Sequence, residues 1–368
     1  MAVYKIFPEK DATIYSYYPA KNTGLDEILE TTTYSSQDLL TGNPQTSRTL
    51  IKFSQAELLN VSASYVTGSF SSSLKLYAAN VEGLSEDITL YTYPISQSWN
   101  MGTGKLADTP STENGVSWTF RNSSGSSPWK TSDFATNTTA SYDPNGNAGG
   151  GTWYYNLSSS QVFTYSDPID INMNVTNIVN AWLNSTIPNE GFIIKQETEF
   201  INSASDSVTM KFFSIDTNTI YPPCLEFKWR DYTFNTGSST QTIITDQDLY
   251  ISLQNNPGTF KTESINKFRI NSRPTYPARV FSTSSLYTTN YYLPTSSYYA
   301  VQDLETNEYI IDFDNNFTQI SAEGTSSYFT LYMNGLEPER YYKIIFKVVF
   351  DANNIIILDS NYYFKITT

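Results

Sequence analysis

The chain contains no histidine and only one cysteine, and these two shortages exclude several common kinds of chemistry. Without an imidazole there is no Ser-His-Asp or Cys-His nucleophile and no imidazole acid–base catalysis. The lone Cys224 excludes an internal disulfide and a cysteine-based metal cage, and its segment YPPCLEF predicts a small residue in a buried strand. An enzyme made from this chain would need carboxylates, tyrosine or lysine alone, so we expect no catalytic activity and no cofactor.

Long apolar runs and basic residues are also scarce. No apolar run approaches the ~20 residues that a membrane-spanning helix needs. The first residues, MAVYKIFPEK, lack the basic and apolar regions of a secretory signal, which predicts synthesis in a cytoplasm without ordinary export. With 22 Lys and Arg against 36 Asp and Glu, the formal net charge is −14. Such a surface repels phosphate groups, so we expect neither nucleic acid nor membrane as a partner.

Aromatic residues are abundant, with 29 Tyr and 21 Phe among 368 residues, and such side chains suit pleated sheets. Short alternating or apolar runs recur along the chain between Gly, Pro, Asn and Ser clusters, which favours an all-β sandwich or barrel. The clearest runs are RTLIKF (48–53), SLKLYAA (73–79), ITLYTY (88–93), TWYYNL (152–157), GFIIKQ (191–196), CLEFKW (224–229), EYIIDFD (308–314), YFTLYM (328–333) and RYYKIIFKVVF (340–350).

Two segments depart from this pattern. In NVTNIVNAWLN the apolar residues recur with a helical period, which predicts one short helix with Asn174 as its N-cap. Plugging an open end of a sandwich is the favoured role of this helix, and binding a partner is the alternative. The stretch from Arg121 to Gly151 is rich in Ser, Thr, Asn and Gly, which predicts a long loop. That loop either reaches a neighbouring subunit or is a mobile insertion without a role.

A domain boundary is predicted after Trp229, where the polar stretch RDYTFNTGSSTQ begins. The two domains would then be residues 1–230 and residues 231–368. In the second, LEPERYY gives Leu336, Pro338 and Tyr342 the spacing of a tyrosine corner, in which the tyrosine hydroxyl bonds to the backbone a few residues upstream. This spacing and the number of strands predict an immunoglobulin-like sandwich.

The first domain resembles the DNRLRE family, which occurs as modules in extracellular and cell-surface proteins. The resemblance rests on DATIYSYYPAKNTG, RTLIKFS, GVSWTF, the tryptophan-containing helix and NEGFIIKQ, which follow one another in the family's order. It covers most of residues 3–230 and implies a jelly-roll sandwich. Relatives are often discussed as carbohydrate-binding or anchoring modules.

The whole chain is also similar to structural proteins of tailed bacteriophages, especially those of marine cyanobacterial phages. Segments such as RINSRPTYPARVFSTSS and FTLYMNGLEPERYYKIIFKV carry this resemblance. It implies a non-enzymatic component of the neck or collar, tail or head surface, located in the virion and packed against other virion proteins and copies of itself. Because virions leave by lysis, such a component needs no export signal.

Carboxylate pairs are the remaining candidates for chemistry. The chain has carboxylate pairs at Asp167/Asp170, Asp246/Asp248 and Asp312/Asp314. On one strand, Asp312 and Asp314 would project from the same face, as two cooperating acids require, although exposed turns and strand faces often hold such pairs. The segment DFDNN (312–316) also offers oxygen ligands that suit Ca²⁺, with a solvated strand edge as the favoured interpretation.

Exposed aromatic side chains would serve protein interfaces or stack on sugar rings. Trp99 and Trp118 lie in family motifs and are predicted to be core. The possible interface or glycan contacts are Tyr18, Trp129, Trp153, Tyr292 and Tyr299. Each tyrosine pair in an alternating strand would place one ring inward and one outward. A host-adsorption module that binds surface glycan is therefore the alternative to a virion structural protein.

Overall fold

The computed structural model describes residues 2–32, 46–84, 87–142, 148–197, 199, 208–235, 242–276 and 290–368. Strands dominate these residues, and two α-helices and one 3₁₀ turn (Phe134–Thr136) complete the regular structure there. The prediction of an all-β sandwich fold is confirmed. The predicted role of the loop between Arg121 and Gly151 lies partly outside the described residues, which omit 143–147.

The chain divides into two compact units. The N-terminal unit comprises Ile6–Tyr65 and Ser71–Glu226, and the C-terminal unit comprises Met1–Lys5, Val66–Phe70 and Phe227–Thr368. The main division, after residue 226, falls four positions before the boundary that composition predicts.

The strands up to Trp229 are β1 (Ala2–Ile6), β2 (Pro8–Tyr15), β3 (Ile28–Thr32), β4 (Ser47–Phe53), β5 (Phe70–Leu76), β6 (Ala78–Glu82), β7 (Ile88–Pro94), β8 (Phe120–Asn122), β9 (Ser127–Pro128), β10 (Thr138–Tyr142), β11 (Ala148–Tyr154), β12 (Ser159–Phe163), β13 (Ile171–Asn174), β14 (Phe192–Gln196), β15 (Thr209–Phe213) and β16 (Cys224–Trp229). The helices are α1 (Gln55–Ser64) and α2 (Thr176–Leu183).

The N-terminal unit is organised around an eight-stranded sheet. Strands β12, β7, β14, β4, β3, β15 and β6 follow one another in it, and β2 pairs with β4. Side chains on both faces of its centre are buried. Phe53 and Phe192 lie on one face with Trp182 of α2, whose ring centroid is 4.6 Å from that of Phe192. Leu50 and Ile193 lie on the other face, in a second hydrophobic cluster. This two-sided burial explains why β4 is apolar or buried at nearly every position instead of alternating.

The second cluster is built by the long excursion between β7 and β12. Trp99, Trp129 and Trp153 are buried in it, and Trp118 packs against it. Most of the predicted loop is regular structure: β8 pairs with β9, and β10 pairs with β11. The Ser- and Gly-rich stretch is therefore largely a covering layer on the sheet, and the expectation of a loop is wrong for its described part.

The predicted helix is present as α2, and it buries Ile178, Val179 and Trp182. Its N-cap is Val175, one residue after the predicted Asn174, whose Oδ1 still accepts a hydrogen bond from the Thr176 N–H at 3.0 Å. The prediction of a single helix is wrong, because α1 is a second one of 10 residues.

The strands of the C-terminal unit after Trp229 are β17 (Phe234–Asn235), β18 (Thr242–Ile243), β19 (Leu249–Gln254), β20 (Thr259–Lys261), β21 (Ile265–Pro274), β22 (Tyr291–Tyr292), β23 (Ser297–Asp303), β24 (Tyr309–Ile311), β25 (Ser321–Glu323), β26 (Ser326–Tyr332), β27 (Tyr341–Asp351) and β28 (Asn354–Thr367).

Two sheets make up most of the described part of this unit. In one, β21 pairs with β19, β22 and β26. In the other the order is β20, β28, β27, β23, β24, with β20 parallel to β28 and the other pairs antiparallel. The two sheets share one core of stacked aromatic rings, such as Tyr299 on Phe329 with 4.3 Å between centroids. Rings of this size bury much apolar area per residue, so they stabilise the sandwich strongly.

Candidate functional site

Asn22, in the opening Asn-Thr-Gly turn, is a buried hydrogen-bonding centre. Its Nδ2 donates to the carbonyl oxygens of Met101 at 2.7 Å and Val116 at 2.9 Å, and its Oδ1 accepts from the Gly104 N–H at 2.8 Å. A Cβ on Gly102 would lie 2.3 Å from Asn22 Oδ1, and the backbone there has a φ of +77°. The turn therefore anchors the beginning of the tryptophan-containing segment between β7 and β12, the layer that covers the sheet.

Arg48, on β4 of the large sheet, is the charged residue that contacts that layer. Its Nε and Nη2 donate to the two carboxylate oxygens of Glu199 at 2.6 and 2.7 Å, Nη2 also donates to Ser141 Oγ at 2.6 Å, and Nη1 donates to the Gly150 carbonyl. The guanidinium carbon lies 4.7 Å from the ring centroid of Trp118 and 5.1 Å from that of Trp153. These contacts occupy the guanidinium on its edges and its face, so Arg48 acts here as a structural clamp.

Gly150 explains the glycine run in this layer. Its φ is +70°, and a Cβ would lie 2.6 Å from Arg48 Nη1 and 2.7 Å from the Trp118 ring. The described part of this run, residues 148–151, therefore supplies close backbone approach to Arg48, where the sequence predicts only a flexible loop.

Two residues of the predicted tyrosine corner, Leu336 and Tyr342, lie together in the core near the beginning of β27, whereas Pro338 is exposed. The Tyr342 hydroxyl accepts from the Glu337 N–H at 2.7 Å and lies 3.3 Å from the Glu337 carbonyl oxygen. Tyr342 and Leu336 are buried in the core of the unit. In the same region Arg340 donates two hydrogen bonds of 2.7 Å to Asp303. These contacts fix the entry of β27 into the sandwich.

The carboxylate pairs hold turns in place. Asp314 Oδ1 accepts from the N–H groups of Asn316 and Phe317 at 2.7 and 3.0 Å, and Asp312 accepts from the Phe313 N–H at 2.7 Å. The predicted strand EYIIDFD is also shorter than expected, because β24 ends at Ile311. Within the part of the chain that the structure describes, no three Asp, Glu or Cys side chains form a group able to hold a metal ion.

The other acidic pairs are also engaged in local bonds. Asp167 accepts from the Thr164 N–H at 3.2 Å, and Asp170 accepts from the Ala78 N–H at 2.7 Å. Asp246 lies in the turn before β19, where its Oδ1 is 3.4 Å from the N–H of Asp248.

Four of the five residues predicted as interface or glycan contacts are buried. Trp129 donates from Nε1 to the Ser117 carbonyl at 3.0 Å, and Trp153 belongs to the same cluster. Tyr292 donates to the Gly324 carbonyl at 2.9 Å, and Tyr299 lies in the core of its sandwich. A surface position is therefore wrong for these four, because the sheets they pack on are covered on that side. Tyr18 is exposed, as predicted.

The tyrosine pairs follow the predicted alternation only once. Tyr291 is partly exposed while Tyr292 is buried, but Tyr17 and Tyr18 both lie exposed in a turn. Their rings form an edge-to-face pair with 4.7 Å between centroids. Tyr298 and Tyr299 are both buried, as are Trp99 and Cys224, for which burial is expected from the sequence.

A surface that the sequence analysis does not single out lies on the β27–β28 hairpin. Tyr341, Ile355, Ile357 and Tyr363 each expose two fifths or more of their area, and we call them the outer apolar face. Lys343 lies opposite Tyr363, and Lys347 lies opposite Ile357. The signal that could have revealed this face is the continuous apolar run IIIL from 355 to 358, because every second residue of a strand points away from the core.

An open pocket of about 310 Å³ lies in the N-terminal unit, with Tyr15, Asp26, Glu27, Glu30 and Lys105 among its lining. The Tyr15 hydroxyl donates to Glu30 at 3.0 Å, and Lys105 lies 3.7 Å from Glu27. Partial burial raises the pKa of Asp26, whose two oxygens accept from one backbone N–H. The polar side chains that line this pocket are thus engaged in hydrogen bonds or ion pairs with its other lining residues.

Comparison with known proteins adds little to this description. No protein-family model matches the chain, and no curated protein matches it. The chain is similar to a crystal structure of a DUF4785 family protein from Legionella pneumophila subsp. pneumophila str. Philadelphia 1, at 7% identity and a TM-score of 0.20. The similarity covers 98% of this chain and 65% of that one, less than two thirds of its length, and at this TM-score it carries no inference.

Among the described residues, no helix is both long enough and apolar enough to cross a membrane.

Proposed function

We propose that this protein is a non-enzymatic structural component of a tailed-phage virion, composed of a jelly-roll sandwich and an immunoglobulin-like sandwich. Its place in the particle would be the neck or collar, the tail or the head surface. It acts by packing against copies of itself and neighbouring virion proteins. The resemblance of its sequence to phage structural proteins is the origin of this proposal.

The single observation that carries it is a contrast between buried charge and exposed apolar area. The buried ion pair of Arg48 with Glu199 ties β4 to the chain that follows β14, whereas the outer apolar face presents Ile357 and Tyr363 to solvent. Exposed apolar groups of this size are typical of surfaces that other proteins cover.

The immunoglobulin-like assignment is supported by the strand pairing of the C-terminal unit. Its tyrosine corner lies at the beginning of β27, β27 pairs with β23 and β28, and β21 pairs with β19 and β26. Two packed antiparallel sheets with a corner of this kind are what an immunoglobulin-like sandwich would require. The jelly-roll assignment is supported by the sequence resemblance and by the broad sheet around β4 and β14.

The test is incorporation of the protein into particles. We expect the double variant Ile357→Glu, Tyr363→Glu to fold but to be depleted from virions in a complementation assay, because charges on the outer apolar face oppose burial at an interface. The matched control is Tyr276→Glu, which changes another strongly exposed aromatic residue outside this sheet. Normal incorporation of the double variant would contradict the proposal. The absence of the wild-type protein from wild-type particles would also contradict it.

One observation favours the second candidate function, adsorption to host glycan. The exposed Tyr17–Tyr18 pair, with Lys21 Nζ 5.4 Å from the Tyr18 ring centroid, offers an aromatic and polar surface for a sugar. Glycan binding that is lost in Tyr18→Ala and kept in Tyr276→Ala would support adsorption. Equal binding by both variants would exclude this pair as the glycan site.

A further inference from the structure

Asp11 is a buried carboxyl that the proposed packing role does not use. It lies on β2 and is 1% exposed. Its Oδ2 accepts from the Ile215 N–H at 2.7 Å, whereas its Oδ1 has no hydrogen-bond partner. Strand β4 places Ile51 directly opposite, so this side provides no charge to neutralise a carboxylate.

The turn that Asp11 contacts follows β15 and comprises residues 214–217. Within it, the Asp216 N–H donates to Ser214 Oγ at 3.1 Å, and the Ser214 N–H donates to the Glu27 carbonyl at 3.1 Å. The bond from Ile215 to Asp11 is therefore the contact that ties the centre of this turn to β2.

The charges near Asp11 are mainly of its own sign. Asp216 is the neighbouring ionisable group, and Glu27 and Lys105 act in turn on Asp216. Burial raises the pKa of Asp11 to about 7, the Ile215 hydrogen bond lowers it, and the charge of Asp216 raises it further. A carboxylate with one unsatisfied oxygen at a dry site is costly, while the neutral acid leaves only a hydroxyl unpaired.

We propose that Asp11 is a proton-controlled latch, whose neutral form holds the turn at residues 214–217 against β2 and whose ionised form releases it. On release the proton passes from the carboxyl group to water, and the carboxylate gains hydration as the turn moves away. This device goes beyond the proposed packing role, since it would operate whatever partner the protein has.

The direction of the pH effect follows from the raised pKa. Between the ordinary value of 3.8 and about 7, the folded chain keeps a proton that the unfolded chain has lost. The stability that Asp11 contributes is fully present below pH 3.8 and is lost as the pH rises to about 7. Over that window the unfolding equilibrium constant rises about tenfold per pH unit.

The decisive measurement follows the Ile215 amide and the Asp11 carboxyl carbon of the full chain by NMR, from about pH 4.5 to about pH 9. We expect the carboxyl carbon to titrate with a midpoint of about 7, and the protection of the Ile215 amide from hydrogen exchange to be lost through the same midpoint as the turn is released. A carboxyl midpoint at its ordinary value, or an Ile215 signal that does not move with it, would overturn the latch. This test uses the wild-type protein, so it does not depend on a variant that folds.

Variants then assign the effect. Asp11→Asn should abolish the pH titration of the Ile215 amide signal. It should also abolish the part of the pH dependence of the unfolding midpoint that Asp11 causes. The matched control is Asp170→Asn, which removes an exposed carboxyl that accepts a backbone N–H at the same 2.7 Å, and it should leave both unchanged. Asp216→Asn should lower the midpoint, because it removes the like charge. An Asp11→Asn protein that still titrates at Ile215 would refute the proposal.

Discussion

Arg48 and Glu199 form a two-bond ion pair inside the N-terminal unit, with N–O distances of 2.6 and 2.7 Å. Burial raises the pKa of Glu199, but the charge and hydrogen bonds of Arg48, with Lys195 at 3.3 Å, outweigh it and hold that pKa below its usual range. Because Trp118 and Trp153 lie over the guanidinium, the pair connects the sheet to the layer that covers it.

Replacing Arg48 by Met should lower the free energy of unfolding by about 3–5 kcal/mol, because the Glu199 carboxylate then stays buried with most of its partners lost. Urea unfolding followed by fluorescence measures this. The matched control is Lys52→Met on the same strand, whose partly exposed ion pair with Glu190 at 3.2 Å should be worth about 1 kcal/mol or less. Similar losses in both variants would contradict a clamp at Arg48.

The stability that Glu199 provides should depend on pH. Because its folded pKa is lowered, this contribution is present above the ordinary value of 4.5 and is lost as the pH falls through the folded value. The difference in urea midpoint between wild type and Glu199→Gln should therefore be largest near neutral pH and shrink in acid. A difference that stays constant down to acid unfolding would show that the charge is not what stabilises the clamp.

Asn22→Ala should lower the free energy of unfolding by about 3 kcal/mol, because two carbonyl groups and one N–H lose their buried partner together. Asn114→Ala is the matched control, since Asn114 also bonds the loop, to Thr103 at 2.7 Å, but from an exposed position. We expect the control to lose less than about 1 kcal/mol. The prediction fails if thermal unfolding gives the two variants equal midpoints.

Tyr342→Phe should lower the free energy of unfolding by about 1–2 kcal/mol, because the Glu337 N–H loses the hydroxyl that accepts its hydrogen bond. The neighbouring Tyr341 is exposed, so Tyr341→Phe should be close to neutral. Chemical unfolding of both proteins under one condition distinguishes them. A neutral Tyr342→Phe would mean that the corner does not stabilise this sandwich.

The sequence predicts what depends on local periodicity. Helix α2 could be found because its apolar positions recur every three or four residues along a single face. Helix α1 was missed, since it buries only Leu58 and Val61, and its main signal is the Ser54 side chain that accepts from the Glu57 N–H at 3.5 Å.

Burial that arises from distant parts of the chain was not predictable in this way. Trp129 lies in a Ser- and Gly-rich stretch and therefore resembles a surface residue, but its neighbours in space include Leu50 and Ile193 of the large sheet. Asp11 likewise occupies a position that alternation alone would allow to face water. Such placements depend on which strands pair, and a single sequence does not encode that pairing locally.

The parallel pairing of β20 with the end of β28 gives the C-terminal unit a mechanical property. Thr259–Lys261 lies beside Lys365–Thr367, and both run in the same direction. Tension between the beginning of β20 and the end of β28 pulls the two strands past each other, so their hydrogen bonds share the load. A hairpin such as β27–β28, pulled apart at its open end, gives way one bond at a time. We expect this short parallel contact to bear load when the unit is stretched between the beginning of β20 and the end of β28.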